Sequence, residues 1–368
     1  MLPKRTLQYR SFGILTNLCD FHSLNFKIMN KLTALILGMA LTFNACSKDD
    51  DEINTSSSNE KLLEQIKADL DGYKIAFGDT KNIYMMDPDG KNVEKLADAS
   101  PISGYVSWSQ DAKYVYYASS QGPAETAWEA WRVNVKTKQT TKLSNFGNDV
   151  RSLGVSPDGK TLAISVMTGN SNIGDNNDNL TQFSTNLYVV SMSTVEAKIN
   201  VGDQIKMADL KALQSSPNSD QFWYEELSWN HDASNPILAY SKTWKYDEDE
   251  VSYTHSYTIK PDGTQNTLIA KNQDQPIWSI DNTKLSFLGL DYYNYSDKSM
   301  KKINVSGIKK ELSGGSFSPK GGTYMIFEVG DENRKGGISQ TTESNNTGIQ
   351  LQTIVDVYEP RWSPKIVE

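Results

Sequence analysis

Histidine is scarce in this chain: His22, His231 and His255 are the only three. A base poised near neutral pH, or a nitrogen-ligated metal, would have to draw on them, and no two have the spacing of a metal motif. His231 falls in a turn and His255 in an alternating run over 251–259, so both read as turn or strand residues rather than catalysts. In the loop 169–182, Asp175, Asn177 and Asn179 alternate, with Asp178 between them. Alternating oxygen donors can wrap calcium, but the glycine at the sixth position and the closing bidentate Glu are missing, because Leu180 follows. A solvated connection is the simpler reading and calcium the alternative. Aromatic side chains are the richer resource. Trp128, Trp223 and Trp244, with Tyr224 and Tyr246, lie at or near departures from a repeat described below: the loop 121–127, an insertion placed at 202–222, and the loop 244–250. Rigid aromatics in such places stack on sugars or anchor peptides, and packing of the insertion onto the body is the alternative. The cluster Tyr292, Tyr293 and Tyr295 is a weaker candidate of the same kind.

These residues need a scaffold. With 38% apolar and 10% aromatic residues the chain can build a sizeable core. Its Tyr, Trp, Thr, Ser, Asn and Gly content favours short strands and tight turns over long helices. The formal net charge is −8; the first 45 residues carry +4 of it, so the remainder stands at −12. An acidic body lacks the basic footprint that dominates nucleic-acid binding, which excludes that class of partner. Cys19 and Cys46 are the only cysteines and precede the patterned region, so no disulfide framework is expected in the body.

The front end reads as a targeting segment. Met29-Asn30-Lys31 is followed by an apolar run from Leu32 to Phe43 and then Asn44-Ala45-Cys46. An apolar stretch of about a dozen residues fits a secretory signal, whereas a membrane span needs about 20. A cysteine directly after the expected cut resembles a lipoprotein signal, in which that thiol receives diacylglycerol and becomes the new N-terminus. Cys46 is then the lipid anchor, residues 1–45 the signal peptide, and Met29 the expected start. The acidic, Ser-rich stretch 46–58 reads as a flexible tether. It is similar to the acidic export tags of surface lipoproteins, with a periplasmic spacer as the alternative. Residues 59–72 place Leu62, Leu63, Ile66 and Leu70 on one face of a short helix ended by Gly72.

From residue 73 onward a motif recurs. Trp108-Ser109-Gln110-Asp111, Val155-Ser156-Pro157-Asp158-Gly159, Trp229-Asn230-His231-Asp232, Trp278-Ser279-Ile280-Asp281, Phe317-Ser318-Pro319 and Trp362-Ser363-Pro364 occupy one slot six times. An alternating apolar strand follows each slot except the last. The spacing is that of propeller blades, with one insertion after Val155. A second slot supports the period: Ile83 through Leu96 aligns without a gap on Ala130 through Leu143, so that Trp131 matches Tyr84. The strand missing after Trp362 is found in Tyr73 to Phe77. The expected fold is all-β, a six-bladed β-propeller over 73–368 whose last blade is closed by both termini.

The Trp-Ser-Pro-Asp-Gly repeat resembles the propeller of the TolB family, over about residues 73–368. The α/β domain that precedes that propeller has no counterpart here, and no Gly-x-Ser-x-Gly elbow of the related peptidases occurs. The resemblance implies a non-enzymatic envelope scaffold that recognises a peptide or protein through a propeller face or the central channel, without a cofactor. Glycan capture by the spare aromatics is the alternative, and a propeller polysaccharide lyase a third reading. The expected setting is the outer membrane, with lipid as the membrane contact and the chain a monomer. Labelled palmitate should enter the protein in cells, and Cys46→Ser should abolish incorporation without unfolding the body; label retained in the variant refutes the anchor.

Overall fold

The computed structural model describes residues 57–366, apart from 100–101, 121–126, 173–180, 216–220, 246–251, 331–333, 342–345 and 354. The signal peptide, Cys46, nearly all of the tether, Asp175, Asn177, Asn179 and Tyr246 lie outside the described residues. Within them the strands form six antiparallel sheets, the blades of a propeller. From the channel outward, blade 1 is Tyr358–Trp362, Ile75–Gly78, Asn82–Met86 and Glu94–Asp98. Blade 2 is Ile102–Trp108, Tyr114–Ser119, Glu129–Asn134 and Thr140–Lys142. Blade 3 is Val150–Val155, Thr161–Asn172, Thr181–Ser191 and Lys211–Gln214. Blade 4 is Gln221–Trp229, Leu238–Lys245, Tyr253–Ile259 and Thr267–Lys271. Blade 5 is Ile277–Trp278, Lys284–Ser286, Asp291–Asn294 and Ser299–Lys302. Blade 6 is Leu312–Phe317, Tyr324–Val329, Lys335–Gln340 and Asn346–Gln350, with Val305–Ser306 added in parallel outside.

The repeated slot ends each innermost strand, and its chemistry makes the turn. The residue after the lead accepts the backbone N–H that opens the next strand: Tyr114 to Ser109 Oγ (2.9 Å), Thr161 to Ser156 Oγ (2.9 Å) and Lys284 to Ser279 Oγ (2.9 Å). Ile237 does the same to Asn230 Oδ1 (2.8 Å), and Tyr324 to Ser318 Oγ (3.0 Å). Where the motif carries Asp two residues further on, it accepts from the serine, as Asp158 does at 2.6 Å. Such side-chain-to-backbone bonds are why Ser and Asp hold tight turns. Gly159 supplies the positive φ of 69°.

Closure follows the same rule across the whole chain. Lys74 N donates to Ser363 Oγ at 2.8 Å and Ser363 N to Lys74 O at 2.8 Å, a pair 289 residues apart. Ile75 registers with Trp362 and Ala76 with Arg361, so both termini share blade 1 as the repeat predicts.

The apolar lead residues pack between blades. Trp108 Nε1 donates to Arg361 O (3.1 Å), Trp229 Nε1 to Gly154 O (2.9 Å) and Trp362 Nε1 to Ser316 O (3.1 Å). Each acceptor is the residue before the lead of the preceding blade, so the indole fastens neighbours while filling the space between them. Six buried apolar clusters result among the described residues, one for each blade interface. The outermost strands carry Lys95, Lys142, Lys211, Lys271 and Lys301, charges that discourage edge pairing.

Helix α1, Ser57–Asp69, buries Ile66, and Leu70 just past its end is buried with it in the cluster between blades 6 and 1. The Tyr324 hydroxyl donates to Asp69 at 2.7 Å, so the helix braces the closing junction. The extra length of blade 3 begins ahead of the 202–222 segment in which the sequence places it. It is α2, Met192–Asn200, with a 3₁₀ turn at Met207–Asp209, between the third and fourth strands. Ser191 caps α2 by accepting from Thr194 N (3.1 Å), and Arg132 of blade 2 holds Glu196 in a two-pronged ion pair. Trp223, just past the 202–222 segment, lies near the start of the innermost strand of blade 4, at the opposite end of the propeller.

These contacts set a graded expectation in urea melts. Ser363→Ala should cost about 1 kcal/mol, the usual worth of one hydrogen bond. Trp362→Ala should cost about 3–5 kcal/mol. Deleting 359–368 should abolish cooperative unfolding; a truncated protein melting within a degree or two of the parent would sink the shared blade.

Candidate functional site: the loop end and the channel

Two ends of the propeller differ. The first-to-second-strand turns and α2 lie at one, the turn end. At the other, the loop end, second strands pass to third strands and fourth strands to the next blade. The three spare tryptophans all reach the loop end, and all are half-buried. Trp128 is pinned by Asp149, whose Oδ1 accepts its backbone N–H (2.9 Å), and Arg151 lies over its ring at 5.3 Å. Trp223 registers with Thr243 on the face of blade 4 opposite Phe222 and Tyr224. Trp244 stacks on Tyr253 at 5.8 Å and meets His255 edge-on at 4.7 Å. Lys242 sits among Phe222 (4.8 Å), Tyr224 (5.6 Å) and Trp244 (5.7 Å), where burial lowers its pKa.

Tyr224 differs from its companions. It is 2% exposed, packs against Tyr240 and belongs to the core between blades 3 and 4. Tyr253, 37% exposed, takes the solvent-facing place beside Trp244. Alternation explains both: 222, 224, 242, 244, 253 and 255 share one face of blade 4, and its inner part is covered by blade 3. Tyr293 is in the core, while Tyr292 and Tyr295 pack partly buried against it. His255 lies on its strand as expected. His231 is in its turn, where its backbone N–H donates to Asn282 Oδ1 (2.5 Å) and burial lowers its pKa to about 4. Its ring approaches Gln110 at 3.4 Å across the turn-end mouth of the channel. Behind them is a cavity of about 60 Å³ bordered by Trp108, Trp229, Trp278 and Trp362, room for a few waters.

The channel holds residues that the reading of the sequence missed. Three positions before each lead stand Tyr105, Ser152, Glu226, Gln275, Gly314 and Glu359. Four of these have left-handed backbone: Glu226 (φ 59°), Gln275 (φ 55°), Gly314 (φ 63°) and Glu359 (φ 48°). Only glycine adopts it without strain, which costs on the order of 1 kcal/mol or more per residue elsewhere. Two side-chain bonds cross the channel. Tyr105 donates to Glu226 Oε1 at 2.7 Å, and Gln275 Nε2 to Glu359 Oε1 at 3.0 Å. Glu226 Oε2 accepts from Ser241 Oγ (2.7 Å) and Gln275 N (2.6 Å). Glu359 accepts from Arg361 (2.8 Å), and its own N–H donates to Glu328 Oε1 (2.6 Å). Burial and the neighbouring Glu359 push Glu328 up, and burial pushes Glu225 up to about 6. The signal for this belt was a fixed offset from the repeat. Among the described residues no group of three or more His, Cys, Asp or Glu is arranged to hold a metal ion.

With fold and channel described, the class is plain: the chain is a TolB-like six-bladed β-propeller. No family model matches it. It is 27% identical to the Tol-Pal system protein TolB of Francisella tularensis over 138 residues, 38% of this chain and 25% of that protein. The match thus spans about a quarter of the curated relative's length. Among solved structures, TolB from Acinetobacter baumannii superposes with a TM-score of 0.55 at 16% identity, covering 84% of this chain and 71% of that one. Hydrazine synthase from Kuenenia stuttgartiensis reaches a TM-score of 0.59 at 10% identity, covering 80% and 47%. At such identities the likeness is one of fold, and that fold also occurs in an enzyme.

Glu328 offers a test of the channel electrostatics. It is 1% exposed and its ion-pair partner is Arg334. Arg334→Met should cost about 3–5 kcal/mol at neutral pH, the range for stranding a buried charge. A carboxyl with a raised folded pKa destabilises increasingly as pH rises above its unfolded value, so the loss should shrink toward acid. Paired melts at pH 4.5 and 7.5 check both magnitude and sign.

Proposed function

We propose that the protein is a cell-envelope binding scaffold, lipid-anchored through Cys46, which recognises a peptide or protein partner at the loop end of its propeller. The observation that carries the reading is the gathering of Trp128, Trp223 and Trp244 at one end. None of the three belongs to the repeated lead slot that builds the blade interfaces, and all are half-buried. An aromatic with part of its surface already packed is an anchor that loses little further entropy on binding. The TolB likeness supports an envelope setting, and the front-end sequence supports export and an outer-membrane anchor. The acidic tether favours display at the cell surface.

Glycan capture is the second reading, favoured by one feature: Trp244 and the exposed Tyr253 form a stacked pair on which a pyranose ring could lie. Peptide and glycan arrays probed with wild type, Trp223→Ala and Trp244→Ala separate the two. Peptide binding weakened by about 1–3 kcal/mol in either variant, with little change in melting temperature, is the expected result. Selective loss of sugar binding in Trp244→Ala would transfer the assignment to glycans. A stability loss of about 3–5 kcal/mol in both variants would place the rings in the core and overturn the binding face.

A further inference from the structure

Four arginines stand among the described residues, and three of them hold a carboxylate. Arg132 pairs with Glu196, Arg334 with Glu328 and Arg361 with Glu359. Arg151 has no ion pair and no hydrogen bond among the described residues, and its Nε is buried without an acceptor. The Nε atoms of Arg132 and Arg334 are buried in the same way, but their outer nitrogens are paired. The placement of Arg151 is specific. It is the second residue of the strand Val150–Val155, which lines the channel in blade 3, and sits at a bulge where the register shifts between Val150 and Ser152. A bulge re-aims the side chain it carries. The guanidinium carbon lies 5.3 Å from the centre of the Trp128 ring, and that ring is held in place: Trp128 N donates to Asp149 Oδ1 at 2.9 Å, and Val150 N to Trp128 O at 2.7 Å. Glu129 pins the same connection by accepting from Phe146 N (2.8 Å) and Gly147 N (3.0 Å). A ring beneath the cation steadies it but is no substitute for an oxygen acceptor.

We propose that Arg151 is a carboxylate receptor at the loop end of the channel, and that the peptide recognised there presents a carboxylate to it, from its chain end or from an Asp or Glu side chain. The proposal rests on the peptide reading above and adds what the tryptophans do not supply, a charge to select by. A guanidinium presents its N–H donors in a planar fork that fits two carboxylate oxygens. Within the protein the carboxyl groups nearest in the fold do not fill that role. Asp149 holds Trp128, and Glu225 of blade 4, which feels the charge of Arg151, makes no ion pair with it. Glu225 also limits the ligand, because its own charge opposes a second negative group beside the first and so favours a single carboxylate over a phosphate dianion. The body's net charge of −12 repels an anion at long range. At physiological ionic strength that repulsion is screened beyond about 8 Å, so the contact at Arg151 decides.

An array of short peptides tethered by their N-termini tests this, each present as free acid and as C-terminal amide, and in Asp/Glu and Asn/Gln versions. Wild type should bind the carboxylate-bearing members about tenfold or more tightly than their neutral counterparts, the effect of exchanging a charged hydrogen-bond partner for a neutral one. Arg151→Gln should bring that ratio near one, and Arg151→Lys, which keeps the charge but loses the fork, should retain part of it. Thermal melts establish that the variants are folded. If Arg151→Gln does not fold, Arg151→Met, which keeps an apolar stem over Trp128, carries the same expectation. Loss on amidation assigns the chain end, and loss in the Asn/Gln versions assigns the side chain. A ratio near one in wild type, or a ratio that survives in the neutral variants, would overturn the proposal. Peptide binding that depends on Trp223 and Trp244 but on no carboxylate would leave the peptide reading standing without this receptor. Capture of polygalacturonate and of no peptide would overturn both.

Discussion

The fold rests on a constraint of circular closure: six sheets around an axis pack face to face all the way round only if the last blade meets a complete first one. The joint is made by a bond the chain uses elsewhere at close range. In five blades a Ser or Asn side chain accepts the N–H that opens the next strand within the same turn. In blade 1 that pair is Ser363 and Lys74, 289 residues apart. The turn chemistry is unchanged and only its covalent continuity is missing. Side chains supply what connectivity does not, with Trp362 buried beside the joint and α1 laid over it. Closing so long a loop costs entropy that grows only slowly with length, so a few kilocalories of local contacts suffice.

The other interfaces lean on that joint. Each lead indole that bonds backward uses a carbonyl on the preceding blade, so Trp108 fastens blade 2 to blade 1 through Arg361, a residue of the C-terminal strand. Arg361 also holds Glu359, and Glu359 reaches Gln275 in blade 5 and Glu328 in blade 6. The C-terminal strand thus closes the sheet and contributes to the channel belt. Closure and channel are one structure seen from two directions.

This explains what was legible beforehand. The lead slot recurs because packing between blades is the same problem six times, and similar residues solve it at a nearly constant interval. Fold, blade count and shared blade follow from that. The belt obeys the same period but not the same chemistry. Four of its residues, Tyr105, Glu226, Gln275 and Glu359, complement one another across the channel instead of repeating, and complementarity between distant residues leaves no local pattern. Blade 3 failed for another reason. Its long strands and α2 all lengthen one interval, and spacing alone cannot say which end of the blade receives the excess. Tyr224 and Trp223, neighbours in sequence, end in core and rim because successive residues of the strand Gln221–Trp229 face opposite sides of the sheet.

The two ends of the propeller are under different obligations, and that asymmetry locates variation. At the turn end, short Ser-Asp turns place the indoles and the termini meet, so a change there disturbs packing between blades. At the loop end the second strand has already made its ladder before the chain turns, and extra residues extend a hairpin without moving the core. Blade 3 shows this in strands of 12 and 11 residues whose inner halves keep the register of a minimal blade. Blade 4 does the same, with Trp244 registered between Phe222 and Tyr253 beyond the buried part of the sheet. Long connections can therefore carry aromatic and charged side chains outward at small cost to the ring. The channel belt, three positions before each lead residue, lies on the loop-end side of the lead slots.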